Sequence, residues 1–369
     1  MKRAATAALA ILCLLLLTVT ADAYDEQELV RQQYAASGAQ TLEESLQGDA
    51  EEILEDFSPL EGDGVETAAS RLWQAVRDRI GGVFRASVKN GCVILICGVL
   101  CSLAAAVLPG QYASGCLTAG VLAVSAVSVY DANAFLSLGR KTLEQLHTFS
   151  TLLLPTMAVS ATAAGALGGG AAKYGAAVLF MNLLMELAQR LILPLIYAYT
   201  AAGIAGAAMG TDGLKGAADL LKWLAVTTMK ALVITFVTYL TVTGVIAGGA
   251  DAAKVKIAKT AVSTVLPVVG SMIADASDTV LAGAAMVKNA VGLLGLAAVA
   301  GICLVPFLRL GVNYLIYKAC AGLTGAVGNS RICRAVETVS TAFGMLLGLV
   351  GVGAVMLFLS VISFMKAVI

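Results

Sequence analysis

The sequence predicts an all-α, polytopic transmembrane helical bundle with an internal repeat, preceded by a signal peptide and a short helical extracytoplasmic segment. Three observations predict it. Hydrophobic residues make up 59% of the chain and charged residues 13%, against roughly half and a quarter in soluble domains. Several stretches run ~18 or more residues without charge, enough to cross a bilayer core of ~30 Å as a helix. Shifted by about 112 residues, the chain also superimposes its own punctuation. Pro155 falls on Pro267, Pro194 on Pro306, Gly210, Gly213 and Gly216 on Gly322, Gly325 and Gly328, and Lys222 on Arg334. Only six prolines are present, so two matched pairs at one lag mark a duplicated membrane unit.

Residues 1–23 read as a signal peptide. Lys2 and Arg3 precede an apolar run from Ala7 to Val19, and Ala21-Asp22-Ala23 supplies a small-residue cleavage site after Ala23. An uncleaved first span is the rival reading. Residues 24–89 form an acidic, mainly helical segment with 14 acidic and 6 basic groups. Asp25 to Ala36 and Thr41 to Phe57 predict two short helices. Pro59 and the run Glu61-Gly62-Asp63-Gly64 predict a turn. From Val65 to Lys89, Leu72, Val76 and Ile80, flanked by Trp73 and Val83, form a stripe at helical spacing. Such a helix either lies at the membrane interface or packs on its own small bundle.

The first span occupies residues 90–110 and closes at Pro109-Gly110. Repeat unit 1 covers 111–222, unit 2 covers 223–338, and a final span covers 339–369. Each unit holds three apolar segments: 112–130, 149–167 and 176–209, matched by 223–247, 261–282 and 290–320. Eight spans follow. With residues 24–89 outside, Lys254, Lys256, Lys259, Lys318, Arg331 and Arg334 then fall in the cytoplasm, as positive-inside bias requires. Three spans per unit make the repeats inverted. A re-entrant middle segment would make them parallel.

Helix breaks are expected at Pro155, Pro194, Pro267, Gly270 and Pro306. The middle segment of unit 2 carries Ser271, Asp275 and Asp278 on one helical face, followed by Lys288 and Asn289. A carboxylate in a membrane segment is costly unless wetted or paired. These residues therefore line a pathway, contact a partner, or sit in headgroup water. Glu186 and Arg190 are spaced to pair, and Arg309 follows Pro306 as a further intramembrane charge or a snorkelling one.

Enzyme chemistry finds little footing. His147 is the single histidine, so neither a His-based metal site nor a His relay is expected. No G-x-x-x-x-G-K-[ST] occurs. The eight cysteines avoid the exported polar segment and do not read as a disulfide framework. No cofactor and no nucleic acid are expected as ligands.

The stretch Leu-Pro-Val-Val-Gly-Ser-Met (266–272), Asp-Ala-Ser-Asp-Thr-Val-Leu (275–281) and Val-Lys-Asn-Ala-Val-Gly (287–292) resembles the stage III sporulation protein AE family of endospore-forming bacteria. The resemblance implies a component of a channel or secretion-like complex between mother cell and forespore, needed for forespore development and late forespore gene expression. It implies placement in the mother-cell membrane around the forespore. Implied partners are membrane lipid, other stage III sporulation A proteins and, through the complex, the forespore stage II sporulation protein Q. Two other readings stay open: a stand-alone secondary transporter or channel for a small solute, and a non-conducting membrane scaffold.

Overall fold

The computed structural model describes residues 26–165, 170–210, 213–265, 269–326 and 330–365. The side chains of residues 26, 111, 170–173, 243–265 and 269–279 lie outside the description, as do residues 1–25, on which the expected signal peptide falls. Every regular element among the described residues is helical. Three short helices come first: α1 (Glu26–Ala36), α2 (Ala39–Glu44) and α3 (Asp49–Ile53). Long helices follow: α4 (Val65–Val107), α5 (Gly110–Ala163), α6 (Gly170–Leu187), α7 (Leu193–Met209), α8 (Gly213–Val265), α9 (Val269–Ala326) and α10 (Ser330–Met365). A π-helical turn at Ala188–Ile192 joins α6 to α7.

The long helices form three antiparallel hairpins. In the first, Asn90 of α4 meets Asp131 of α5, and Cys101 meets Gly120. In the second, Phe180 of α6 stacks near Phe236 and Tyr239 of α8. The third is α9 with α10, where Gly325 faces Cys333, Tyr317 faces Phe343 and Gly292 faces Met365. Contacts between hairpins set the order. Gly139 and Leu146 of α5 meet Leu346 and Gly353 of α10, so these two helices run parallel. Gly203 and Gly210 of α7 meet Thr338 and Arg331, so α7 runs against α10. All three hairpin turns therefore lie at one end of the bundle. The first hairpin reaches furthest. Gly98 already touches Thr324 and Ile332, which flank the third turn, so residues 99–107 project roughly 14 Å beyond it at 1.5 Å per residue. Leu100, Leu103 and Val107 stand exposed on that tip, and no Asp, Glu, Lys, Arg or His occurs from Asn90 to Tyr130.

Six helices are long and apolar enough to cross a membrane: Val65–Val107, Tyr112–Ala163, Tyr174–Met209, Gly213–Val242, Val280–Ala326 and Ser330–Met365. The chain is thus a multi-pass membrane protein, with a different span division from the expected eight. The expected spans 112–130 and 149–167 leave residues 131–148 as the connection between them; these residues are helical and continuous with both neighbours in α5. That helix has 54 residues, about 80 Å, far more than one bilayer core. The loop charges belong instead to one helical face: Arg140 and Lys141 are exposed, while Leu136, Leu143 and Leu146 are buried.

The expected helix breaks also need correction. Helices pass through Pro155 and Pro306 without interruption. Pro costs a helix one backbone bond and a steric clash, and here the packed neighbours absorb that cost. Pro194 follows the π-turn, so the disturbance there is a bulge. Gly270 is helical, the second described residue of α9. Pro267 lies outside the described residues, between α8 and α9. Nor do helix ends follow the 112-residue lag. Unit 1 ends a helix at Ala163, whose counterpart Asp275 lies within α9.

The acidic segment packs on this frame. Val30 and Gln33 of α1 touch Gly283, and Ala50 and Leu54 touch Gly301 of α9. Tyr34 is buried and donates to Glu43 at 2.6 Å. Burial, then that bond, push its phenol above the ordinary tyrosine range. Arg79 of α4 pairs with Glu52 at 2.6 Å, and Arg71 donates to the Glu55 carbonyl. The stripe expected on 65–89 is divided. Leu72 packs on the core beside buried Ala68 and Ala75, whereas Trp73, Ile80 and Phe84 stand exposed.

Two predictions follow from the helix contacts. Single cysteines through 131–148 will label with helical period, strongly at 137, 140 and 141 and weakly at 136, 143 and 146; uniform labelling would restore the loop. A Cβ on Gly203 would lie 2.4 Å from the Thr338 methyl, so Gly203→Ala will lower stability in detergent by about 1–3 kcal/mol. Thr338→Ala will suppress that loss.

Candidate functional site

In a membrane the informative residues are polar ones that the fold must satisfy or point outward. The structure places them in four groups.

The first is a buried junction between α4, α5 and α9. Tyr317 donates its hydroxyl to Asp131 at 2.6 Å, and the Asn90 amide donates to the same carboxylate oxygen at 2.9 Å. Asp131 and Tyr317 are both buried. Ser128, one turn before Asp131, is buried beside Tyr317. A buried carboxylate needs such donors because hydrogen bonding offsets part of the desolvation cost. Two donors from two other helices make Asp131 a lock on their mutual register.

The second is the pair of charged cleft walls near the hairpin turns. Lys215, Asp219 and Lys222 of α8 face Arg334 and Glu337 of α10, with Tyr199 and Gly203 of α7 between them, around a cavity of about 250 Å³. Lys318 of α9 pairs with Glu337 at 2.6 Å. Lys222 and Arg334, matched by the repeat lag, thus line one cavity.

The third is the end of α10. Lys288 is buried, and its ammonium donates to the Met365 carbonyl at 2.8 Å. Lys288, expected as a pathway or partner residue, here ties α9 to α10. Its sequence neighbour Asn289 is exposed.

The fourth is an outward-facing pair. Glu186 and Arg190 lie 3.3 Å apart, and their side chains are 59% and 81% exposed. Arg190 belongs to the π-turn. π-bulges occur frequently at functional sites. Arg309 is also exposed, and its carbonyl accepts from buried Asn313 at 2.8 Å.

Ser271, Asp275 and Asp278 fall among residues whose side chains lie outside the description. Sequence reading did not single out Asn90, Asp131 and Tyr317. A signal was present: Asp131 is the first Asp, Glu, Lys, Arg or His after an uncharged run from Asn90 to Tyr130. Among the described residues no group of three or more His, Cys, Asp or Glu side chains could hold a metal ion.

Comparison with known proteins adds a family. The family model described as Stage III sporulation protein AE matches residues 54–367. A relative from Bacillus subtilis (strain 168), named Stage III sporulation protein AE, is 26% identical over 220 residues. That match covers 59% of this chain and 55% of the relative, so it spans about half of the relative's length. No solved structure matches.

The polar junction makes a direct prediction. Tyr317→Phe and Asp131→Leu will each lower stability in detergent by about 1–3 kcal/mol by stranding a buried polar partner. The double variant will cost clearly less than the sum. Additive losses would show that the two groups do not act as one unit.

Proposed function

From the premise that this chain belongs to the stage III sporulation protein AE family, we propose that it is a membrane component of the stage III sporulation channel complex linking mother cell and forespore. In this reading it sits in the mother-cell membrane around the forespore. It assembles there with other stage III sporulation A proteins and, through them, with the forespore stage II sporulation protein Q. The family match over residues 54–367 is the observation that carries the reading.

Two features support a component that works with partners. The described interior of the three hairpins is filled with apolar side chains from all of them, such as Leu146, Leu153, Met181, Leu184 and Leu349. A conduit through such a body would be built between chains, with the packed bundle as its wall. The exposed Glu186–Arg190 pair on a membrane-crossing helix is costly against lipid. A neighbouring subunit with polar groups at that height would satisfy it.

Complementation tests the reading. The chain will restore late forespore gene expression to a sporulating strain lacking its own copy, and it will co-purify with the other stage III A proteins. Glu186→Gln with Arg190→Gln will reduce co-purification several-fold while leaving chain abundance unchanged. Asp275→Asn with Asp278→Asn separates two modes of action. Lost forespore expression with the complex intact would make those carboxylates part of a pathway. Loss of the complex itself would make them partner contacts. Full complementation by a chain that never associates with the other subunits would overturn the reading.

A further inference from the structure

A groove of about 680 Å³ opens between α8 and the third hairpin. Its walls are apolar: Val226, Val233 and Ile234 from α8 face Met345, Leu347 and Val352 from α10. Three lysines stand on it: Lys222 and Lys230 of α8 and Lys318 of α9. None of its lining residues is a carboxylate. Glu337 compensates Lys318, whereas Lys222 and Lys230 have no ion-pair partner among the described residues.

We propose that this groove is a binding site for anionic phospholipid, with an acyl chain along the apolar walls and the phosphate held by Lys222 and Lys230 beside Lys318. The groove runs on the flank of three membrane-crossing helices, where lipid is the solvent that reaches it. Its volume lies within the ~300–1,000 Å³ typical of small-ligand sites. The sequence around Lys222 marks the headgroup level. Trp223 is 61% exposed, and tryptophan collects at the membrane–water boundary. Towards the hairpin turns the groove meets the charged cleft through Lys222, which lines both. Away from it, α8 continues apolar through Val242 apart from Lys230, whose flexible stem lets its ammonium reach towards the boundary. Uncompensated cations above an apolar channel match a molecule with an anionic head and a hydrocarbon tail. A zwitterionic lipid would supply the tail without the net charge, and free phosphate the charge without the tail.

Tryptophan quenching tests the site in the full chain. With Trp73 and Trp223, the two tryptophans of the chain, both changed to Phe, an Ile234→Trp substitution places a single reporter on the groove wall. The chain is reconstituted in bilayers of phosphatidylcholine containing brominated phosphatidylglycerol or, separately, brominated phosphatidylcholine. Brominated phosphatidylglycerol is expected to compete for the site roughly thirtyfold better, from about 1 kcal/mol for each of the two lysines near an anionic surface. Lys222→Gln with Lys230→Gln should bring the ratio near one, and Lys222→Arg with Lys230→Arg should retain it. Millimolar inorganic phosphate should leave it unchanged. Equal quenching by both lipids, or selectivity that survives the Gln pair, would overturn the proposal. Displacement by phosphate would make the site a phosphate site without lipid. As a readout independent of the reporter, phosphatidylglycerol retained by the otherwise native chain after detergent extraction should fall in the Gln pair and persist in the Arg pair. Equal retention in all three chains would count against the lysines.

Discussion

The close approach of α10 to its neighbours is the constraint on which the other contacts depend. Lipid tails are as apolar as leucine, so helices in a bilayer gain little by merely hiding hydrocarbon from solvent. Association must come from shape, and shape here is made by glycine. Gly203 of α7 meets Thr338, Gly139 of α5 meets Leu346, and Gly353 accommodates Leu143, Leu146 and Leu184. At Gly203 an added methyl would collide with its neighbour, so the contact needs hydrogen there. Through these contacts one helix fixes the heights of the first and second hairpins, and the direction of every other long helix follows.

Polar groups then refine what shape has set. Asp131 draws donors from α4 and α9, and Lys288 draws the end of α10 onto α9. Each is deeply buried and each joins segments far apart in sequence. A slip of one helical turn would strand a charge in an apolar interior, at a cost larger than that of most single packing defects. The remaining charges divide by position. Those on α3 and the first half of α4 hold the acidic segment to the bundle, as Arg79 does with Glu52. Glu186 and Arg190 of α6 and the π-turn face outward, and Lys215, Asp219, Lys222, Lys230 and Lys318 of α8 and α9 face the cleft or the groove.

The long helices explain how one chain joins a membrane part to a polar part. A helix of 43 residues such as α4 is about 64 Å long, roughly twice a bilayer core. Its second half is uncharged and ends on the projecting tip. Its first half carries Arg71, Arg79 and Lys89 and packs with α3. Because the helix is continuous, a contact made by the acidic segment is rigidly connected to the projecting tip of the first hairpin.

Much of this was legible in the sequence. Hydropathy gave the helical membrane class, Pro109-Gly110 gave the first turn, and spacing gave the Glu186–Arg190 pair, because each depends on local chemistry alone. The prolines misled. Whether a helix continues through Pro155 depends on what packs around it, and Leu153, Leu154 and Met157 are all buried against other elements. Residues 131–148 misled for a related reason. Polar character marks both a loop and the wet face of a long helix, and only burial of Leu136, Leu143 and Leu146 distinguishes them. The sequence by itself determined that this chain must be helical and must live in lipid, since backbone groups in hydrocarbon have to be satisfied within the segment. The tertiary structure decided which apolar segments fuse into single helices and which charges meet, as Asp131 meets Tyr317 across 186 residues. Such pairings depend on the relative heights of helices, which no local pattern encodes.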